Sequence, residues 1–109
     1  MAKKKFIVPF DFSEVAESAV EHALITASVV GADVHLLHVV SKKDAIKEAK
    51  VKLVDAVEKA LSHTKSKGVE IISHVRVGNI FDDIAEFAVE IGAELIFMGT
   101  HGAHGWQHI

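Results

Sequence analysis

The 109-residue chain carries a net charge of −3 with histidine neutral, half of its residues are apolar, and it has no cysteine. This length predicts a single domain over residues 1–109 with an aliphatic core. The lack of cysteine excludes disulfides, thiolate nucleophiles and cysteine-ligated metal sites. The near-balanced charge argues against a nucleic-acid partner, and no apolar run has the length of a signal sequence or a membrane span. We therefore expect a cytoplasmic protein that binds neither nucleic acid nor membrane.

The first two elements are a strand and a helix. The apolar run at residues 6–10 predicts a buried strand that stops at the only proline. Asp11 or Ser13 can cap the following helix, whose apolar residues recur at helical spacing over residues 16–27. Gly31 is expected to end that helix.

A second strand and helix follow the same pattern. Residues 34–40 are almost continuously apolar, which is typical of a strand buried on both faces of a parallel sheet. Ser41 and Asp44 predict the start of a second helix, and Gly68 predicts its end.

The third and fourth strands differ in polarity. Residues 69–77 alternate only partly and include charged positions, which indicates an edge strand. A turn at residues 78–79 leads into a third helix, where Asp82 and Asp83 suit the positive end of the helix dipole. Gly92 should end this helix, and residues 95–98 form a short apolar strand before Gly99.

The element order β-α-β-α-β-α-β predicts the fold class. Such alternation builds an α/β, doubly wound, Rossmann-like parallel sheet with helices on both faces. Ligands in these folds bind beyond the carboxyl ends of the strands. Three of those ends carry unusual residues here, at positions 9–11, 39–40 and 99–102. We expect the functional site there.

Two features at these ends could carry chemistry. Gly99, Gly102 and Gly105 could let backbone N–H groups approach a phosphate, or they could form only a flexible turn. Neither the dinucleotide-binding nor the P-loop spacing is present. Asp11 could accept hydrogen bonds from a ribose or an adenine amine, or it could cap a helix, and the two roles can coexist.

Three histidines near the end raise the question of a metal site. His101, His104 and His108 would share one face of a helix and could hold a transition metal. Gly102 and Gly105 instead favour a loop with incidental histidines.

The other histidines and the remaining polar residues give little support to catalysis. His38 is expected to be a hydrogen-bonded histidine in a buried strand. There is no Gly-x-Ser-x-Gly motif and no obvious carboxylate pair for hydrolysis. Four further histidines occupy scattered surface or strand positions: His22, His35, His63 and His74.

Four separated segments resemble the universal stress protein family: residues 6–13, 36–40, 78–84 and 95–102. The last is the most specific, because it matches the fourth strand and the beginning of the family's nucleotide loop. The resemblance implies the ATP-binding subgroup, whose members are nucleotide-binding stress-response regulators or scaffolds, often homodimers, with slight or absent turnover. The implied ligand is ATP or AMP, with Mg²⁺ as a possible companion.

The resemblance also assigns roles to residues. It implies that Asp11 faces the nucleoside, that Val39 packs near adenine, and that Met98 and Gly99 line the site. Gly102 would begin the phosphate loop. The other residues of the predicted nucleotide-binding set are Pro9, Phe10, His101 and Gly105.

The chain departs from the family pattern at one point. The family loop continues to a further Gly followed by Ser or Thr, then to a fourth helix and a fifth strand, and these would follow Ile109. We therefore expect a domain that is incomplete at its carboxyl end, with the adenosine half of the site but not the phosphate half, and a fourth strand whose free edge favours self-association. The alternatives are a nucleotide-independent dimeric interaction module, a slow ATP hydrolase and a histidine-tail metal site.

Overall fold

The computed structural model describes residues 3–66 and 68–99, in which strands and helices alternate. In chain order the elements are β1 (Lys4–Pro9), α1 (Glu14–Val30), β2 (Ala32–Val40), a 3₁₀ turn (Lys43–Ala45), α2 (Ile46–His63), β3 (Ile71–Val77), α3 (Ile80–Ile91) and β4 (Leu95–Ile96).

The strands form one parallel sheet in the order β3-β2-β1-β4. The predicted α/β fold is thus confirmed, and β3 lies at an edge as its polar alternation indicated. The central strands are β1 and β2, which are the most apolar. Since parallel strands share one direction, the carboxyl ends of β1, β2 and β4 meet at the same edge of the sheet.

Helices cover both faces of the sheet. On one face α1 and α2 pack against β1 and β2 through a large cluster that includes Phe6, Leu24, Leu36 and Leu53. On the other face α3 packs through Phe87 against Ile7 and Leu37. Because neighbouring residues of a strand point to opposite faces, the continuous apolar runs of β1 and β2 supply both layers.

The ends of α1 are set by the residues that the sequence indicated. Ser13 is the N-cap, and its hydroxyl accepts a hydrogen bond from Ala16 N at 3.1 Å. Gly31 adopts φ 77° and donates its N–H to Ala27 O at 2.8 Å.

The predicted bounds of α2 were wrong at both ends. Ser41 and Asp44 do not cap it, because Asp44 lies inside the 3₁₀ turn and the N-cap is Ala45, which makes no side-chain hydrogen bond. The helix ends at His63, where Thr64 turns to an extended conformation. Gly68, with φ 77°, serves the later turn towards β3.

The observed strand bounds differ from the predicted ones by one or two residues. Pairing begins at Lys4 in β1 and at Ile71 in β3, and the ladder of β4 covers only Leu95 and Ile96. A further hydrogen bond from Phe97 N to Ile7 O, at 2.8 Å, continues the contact of this segment with β1. Within residues 3–66 and 68–99, no helix is both long and apolar enough to cross a membrane.

Candidate functional site

A cavity of about 380 Å³ opens at the carboxyl ends of β1, β2 and β4. This volume lies in the range of small-molecule sites. Its lining residues are Pro9, Phe10, Asp11, Ser13, Ala16, His38, Val39, Ile80, Phe81, Ile84, Met98 and Gly99.

The structure brings together the predicted site residues that it describes. They come from three separate segments and all line the one cavity: Pro9, Phe10, Asp11, Val39, Met98 and Gly99. The predicted His101, Gly102 and Gly105 lie outside the described residues, as do His104 and His108.

Half of the lining was not predicted as part of the site. These residues are Ser13, Ala16, His38, Ile80, Phe81 and Ile84. The start of α3 contributes three of them, because this helix crosses the sheet with its first turn beside the strand ends. The signal for them was the apolar stripe of α3, which begins at Ile80 and includes Ile84.

Asp11 joins the cavity to the start of α1. Its Oδ1 accepts hydrogen bonds from Ser13 N, at 3.1 Å, and from the Ser13 hydroxyl. Phe12 between them has φ 67°, a left-handed conformation that turns the chain sharply into the helix. Of the two capping candidates, Ser13 is the cap, and Asp11 fixes it from outside the helix.

His38 is held from the neighbouring strand end. Its Nδ1–H donates to Phe10 O at 2.7 Å, since a carbonyl oxygen can only accept. The edge of the ring contacts Phe12, with centroids 4.9 Å apart. This confirms the expected hydrogen-bonded histidine. In the neutral state, Nε2 then keeps its lone pair as an acceptor.

The remaining walls are mostly apolar. Val39 comes from β2, Ile84 from α3, and Met98 follows β4. Met98 and Phe81 are 48% and 76% exposed, so large apolar groups stand at the rim. An apolar lining with a few polar groups is typical of ligand sites.

Gly99 lies where a side chain would not fit. A Cβ at this position would stand 2.6 Å from Val15 O and from Val15 Cγ1 in the first turn of α1. The segment after β4 therefore passes directly over the start of α1. Its glycine is required by this close approach of two backbones.

The start of α3 is fixed by a buried carboxylate. Asp83 accepts from Asn79 N at 2.9 Å and from Arg76 Nε at 3.2 Å, and it is 8% exposed. Asn79 caps the helix by accepting from Phe81 N at 2.8 Å. Asp83 thus combines the predicted helix-start role with an ion pair to β3 that the sequence did not indicate.

Arg76 is surrounded by acidic side chains of α3. Its Nη1 lies 2.9 Å from Glu90 Oε2, and its Nη2 lies 4.0 Å from Glu86 Oε2. The hydrogen bond to Glu90 raises the pKa of the guanidinium above its ordinary value, with further contributions from the charges of Glu90, Asp83 and Glu86. Among residues 3–66 and 68–99 no group of three histidine or carboxylate side chains could hold a metal ion.

Comparison with known proteins gives a consistent result. The model of the universal stress protein family matches residues 3–109. Two universal stress proteins of Methanocaldococcus jannaschii are 30% and 26% identical to this chain; each alignment covers 97% of it, and 69% and 82% of the relatives. The solved structure of the universal stress protein from Archaeoglobus fulgidus in complex with dAMP is 27% identical, with a TM-score of 0.71, over 89% of this chain and 80% of that one. The resemblance noted in the sequence is confirmed.

Proposed function

Because the chain belongs to the universal stress protein family, we propose that its cavity binds an adenine nucleotide, ATP or AMP, and that the protein is a nucleotide-binding stress-response regulator without strong catalytic activity. One observation carries this proposal: the six described residues predicted for the site, from three separate segments, line a single cavity. The Archaeoglobus fulgidus relative, solved with dAMP, supports the choice of adenine.

The apolar walls suit a flat heteroaromatic base. Val39 and Ile84 offer branched aliphatic surface, and Met98 offers a polarizable thioether that packs well against an aromatic ring. Burying such a ring removes apolar area from water, which contributes roughly 25 cal/mol per Å² before the losses of freedom on binding. The base therefore belongs between β2, α3 and the segment after β4.

Asp11 is the polar group best suited to the nucleoside. An ionised carboxylate has about four acceptor positions, so it can receive a ribose hydroxyl or an adenine amine in addition to the bonds from Ser13. Its hold on Ser13 keeps the carboxylate in place before a ligand arrives, which reduces the entropy lost on binding.

The proposal also includes contacts to the phosphate groups of the nucleotide. We assign to His101, Gly102 and Gly105 only the contacts at the beginning of the phosphate loop, with Mg²⁺ accompanying ATP. Glycine N–H groups and a histidine can both donate to phosphate oxygens.

The deciding experiment fills the cavity. Val39→Phe adds a ring where adenine should lie, so we expect AMP affinity to fall at least ~10-fold, about 1.4 kcal/mol. Calorimetric titration with AMP, ATP and GTP measures it. The matched control is Val51→Phe on α2, a position 62% exposed and remote from the cavity, which should bind as the parent does.

Two results would contradict the proposal. One is the absence of binding heat for every adenine nucleotide with the parent chain. The other is equal AMP affinity in Val39→Phe and Val51→Phe, with circular dichroism showing both variants folded. Phosphate release during incubation with ATP would show whether slow hydrolysis accompanies binding.

A nucleotide-independent dimeric module is the second candidate. It is favoured by β4, an edge strand whose Leu95 and Ile96 are 49% and 42% exposed. An apolar edge with open backbone groups can pair with a second copy of the chain. Dimerisation without any adenine-nucleotide binding would favour this function over the first.

A further inference from the structure

A pair of histidines bridges β2 and β3 beneath α3. His35 Nδ1 lies 2.9 Å from His74 Nε2, with the ring planes 15° apart and the centroids separated by 5.1 Å. Both rings are partly buried. One nitrogen must donate and the other accept, so this single hydrogen bond ties the two strands through their side chains.

The pair supports the main anchor of α3. The His74 ring contacts Phe87 with centroids 4.6 Å apart, and the His35 ring lies 6.3 Å from it. Phe87 is 4% exposed and packs against Ile7 and Leu37 in the core layer between α3 and the sheet.

From this anchor the helix leads directly to the cavity. Ile84 precedes Phe87 by three residues, packs in the same layer and lines the cavity, together with Ile80. Residues three apart lie on the same face of a helix, so the position of Phe87 sets the position of Ile84. The contact between the histidines and Phe87 is thus coupled to one wall of the candidate site.

We propose that the His35–His74 pair is a pH-sensitive latch on α3: it holds the helix and one cavity wall while the pair carries at most one proton, and it releases them when both rings are protonated. The reason is the hydrogen bond itself. The neutral and the singly protonated pair each keep one lone pair between the facing nitrogens. In the doubly protonated pair both facing nitrogens carry hydrogen, so the bond cannot persist.

The surroundings resist the added charge. Burial is the largest cause of the lowered pKa of His35, and the Lys5 cation lowers it further. The Asp33 and Glu70 carboxylates act in the opposite direction. Burial also lowers the pKa of His74, with His35 and then Arg76 adding to the effect.

Other charged groups of the packed helices lie around the same edge of the sheet. Lys50 of α2 shares an open cavity of about 490 Å³ with His74, Arg76, Phe87 and Glu90, which gives water and protons a path to the ring. Three carboxylates of α3 partly neutralise the Arg76 charge that the pair experiences: Asp83, Glu86 and Glu90.

The sign of the pH effect follows from these shifts. Both folded-state pKa values lie below 6.5, so the unfolded chain binds more protons in the interval below 6.5. The stability contributed by the neutral pair is complete above pH 6.5 and is lost as pH falls through the folded-state values. Acidification therefore weakens the packing of α3 on the sheet.

The test compares the full chain with His74→Gln, which removes one titrating ring but keeps an amide that can hydrogen-bond. The control is His22→Gln on the exposed surface of α1. Between about pH 7.5 and pH 5 we expect the melting temperature of the parent and the control to fall about 4–8 °C more than that of His74→Gln. NMR titration should show His35 and His74 changing together with the amides of α3.

Two results would overturn the latch. One is a melting temperature that falls equally with pH in the parent and in His74→Gln, and the other is an independent titration of the two histidines near pH 6.5. If His74→Gln does not fold, His35→Gln and the NMR titration of the parent give the same decision. The link to the cavity rests on the proposed function, and AMP affinity should fall over the same pH interval in the parent and in His22→Gln but not in His74→Gln. A coupled titration without AMP binding at any pH supports the latch and refutes the proposed function, so the two fail separately.

Discussion

At the scale of single residues, Asp11 shows how one carboxylate can belong to both the fold and the cavity. It fixes Ser13, which caps α1, and it lines the cavity beyond β1. The sequence left both helix capping and ligand binding open for Asp11 and allowed the two roles to coexist. The structure gives the direct cap to Ser13 and leaves Asp11 as a polar group at the cavity wall.

Asp11→Asn separates these two contributions. The amide keeps an oxygen that can accept from Ser13, so we expect a loss of stability of only about 0.5 kcal/mol. A charged acceptor is worth more to a ligand than a neutral one, so AMP affinity should fall roughly 10-fold. Calorimetry measures the affinity, and Asp55→Asn on the exposed surface of α2 is the control. Unchanged affinity in Asp11→Asn would contradict a contribution of the Asp11 charge to nucleoside binding.

At the scale of secondary-structure elements, α3 depends on the turn that precedes it. Gly78 has φ 154°, and a Cβ there would overlap the carboxylate of Asp83. That carboxylate accepts from Asn79 N and Arg76 Nε, so the glycine leaves room for the group that fixes the first turn of α3. The wall formed by Ile84 is placed by this turn.

Gly78→Ala should therefore destabilise the chain in two ways. The backbone conformation is unfavourable for alanine, and the methyl group displaces Asp83 from its partners, so we expect a loss of about 2–3 kcal/mol. Gly31→Ala is the control, because Gly31 also has a positive φ, but a Cβ added there would meet no atom within 4 Å. It should lose only about 1–2 kcal/mol. Urea unfolding measures both losses. Equal losses would mean that displacing the Asp83 carboxylate adds nothing to the cost of Gly78→Ala.

The elements also show what periodicity can and cannot predict. Apolar runs and glycine caps predicted β2, the end of α1 and the end of α3, because each depends on neighbours in the chain. The start of α2 was wrong, since a 3₁₀ turn competes locally with an α-helix and both tolerate Asp44. The His35–His74 pair was missed because it depends on register: His35 is opposite Ile72, and only the alignment of β2 with β3 brings His74 next to it.

At the scale of the whole molecule, the parallel sheet explains why part of the candidate site could be predicted. Strand ends converge in any such sheet, so Pro9, Val39 and Met98 could be grouped without coordinates. The contribution of α3 could not, because it depends on how the helix crosses the sheet. The other feature at this scale is the edge strand β4, which ends the sheet within the described residues and has Leu95 and Ile96 exposed.

Ile96→Lys tests whether that edge mediates self-association. A lysine on an edge strand discourages pairing with another chain, because its charge would have to be desolvated. If β4 joins two copies, sedimentation velocity should show association of the parent and monomers of Ile96→Lys. Val51→Lys changes an exposed residue of α2, away from β4, and should associate like the parent. A monomeric parent at high concentration would contradict association through β4.

The position of β4 also has a consequence for the order in which the sheet is built and opened. Phe6 pairs with Leu95, so nearly all of the described chain lies between the two partners, whereas β1 and β2 are joined by α1 alone. Closing the longer loop has the larger entropic cost, and the β4 ladder is only two residues long. The β1–β2 unit can thus form while β4 is still undocked. The amides of Glu94 and Phe97 donate to Lys5 O and Ile7 O. In native-state hydrogen exchange these two amides should exchange faster than those of the β1–β2 ladder.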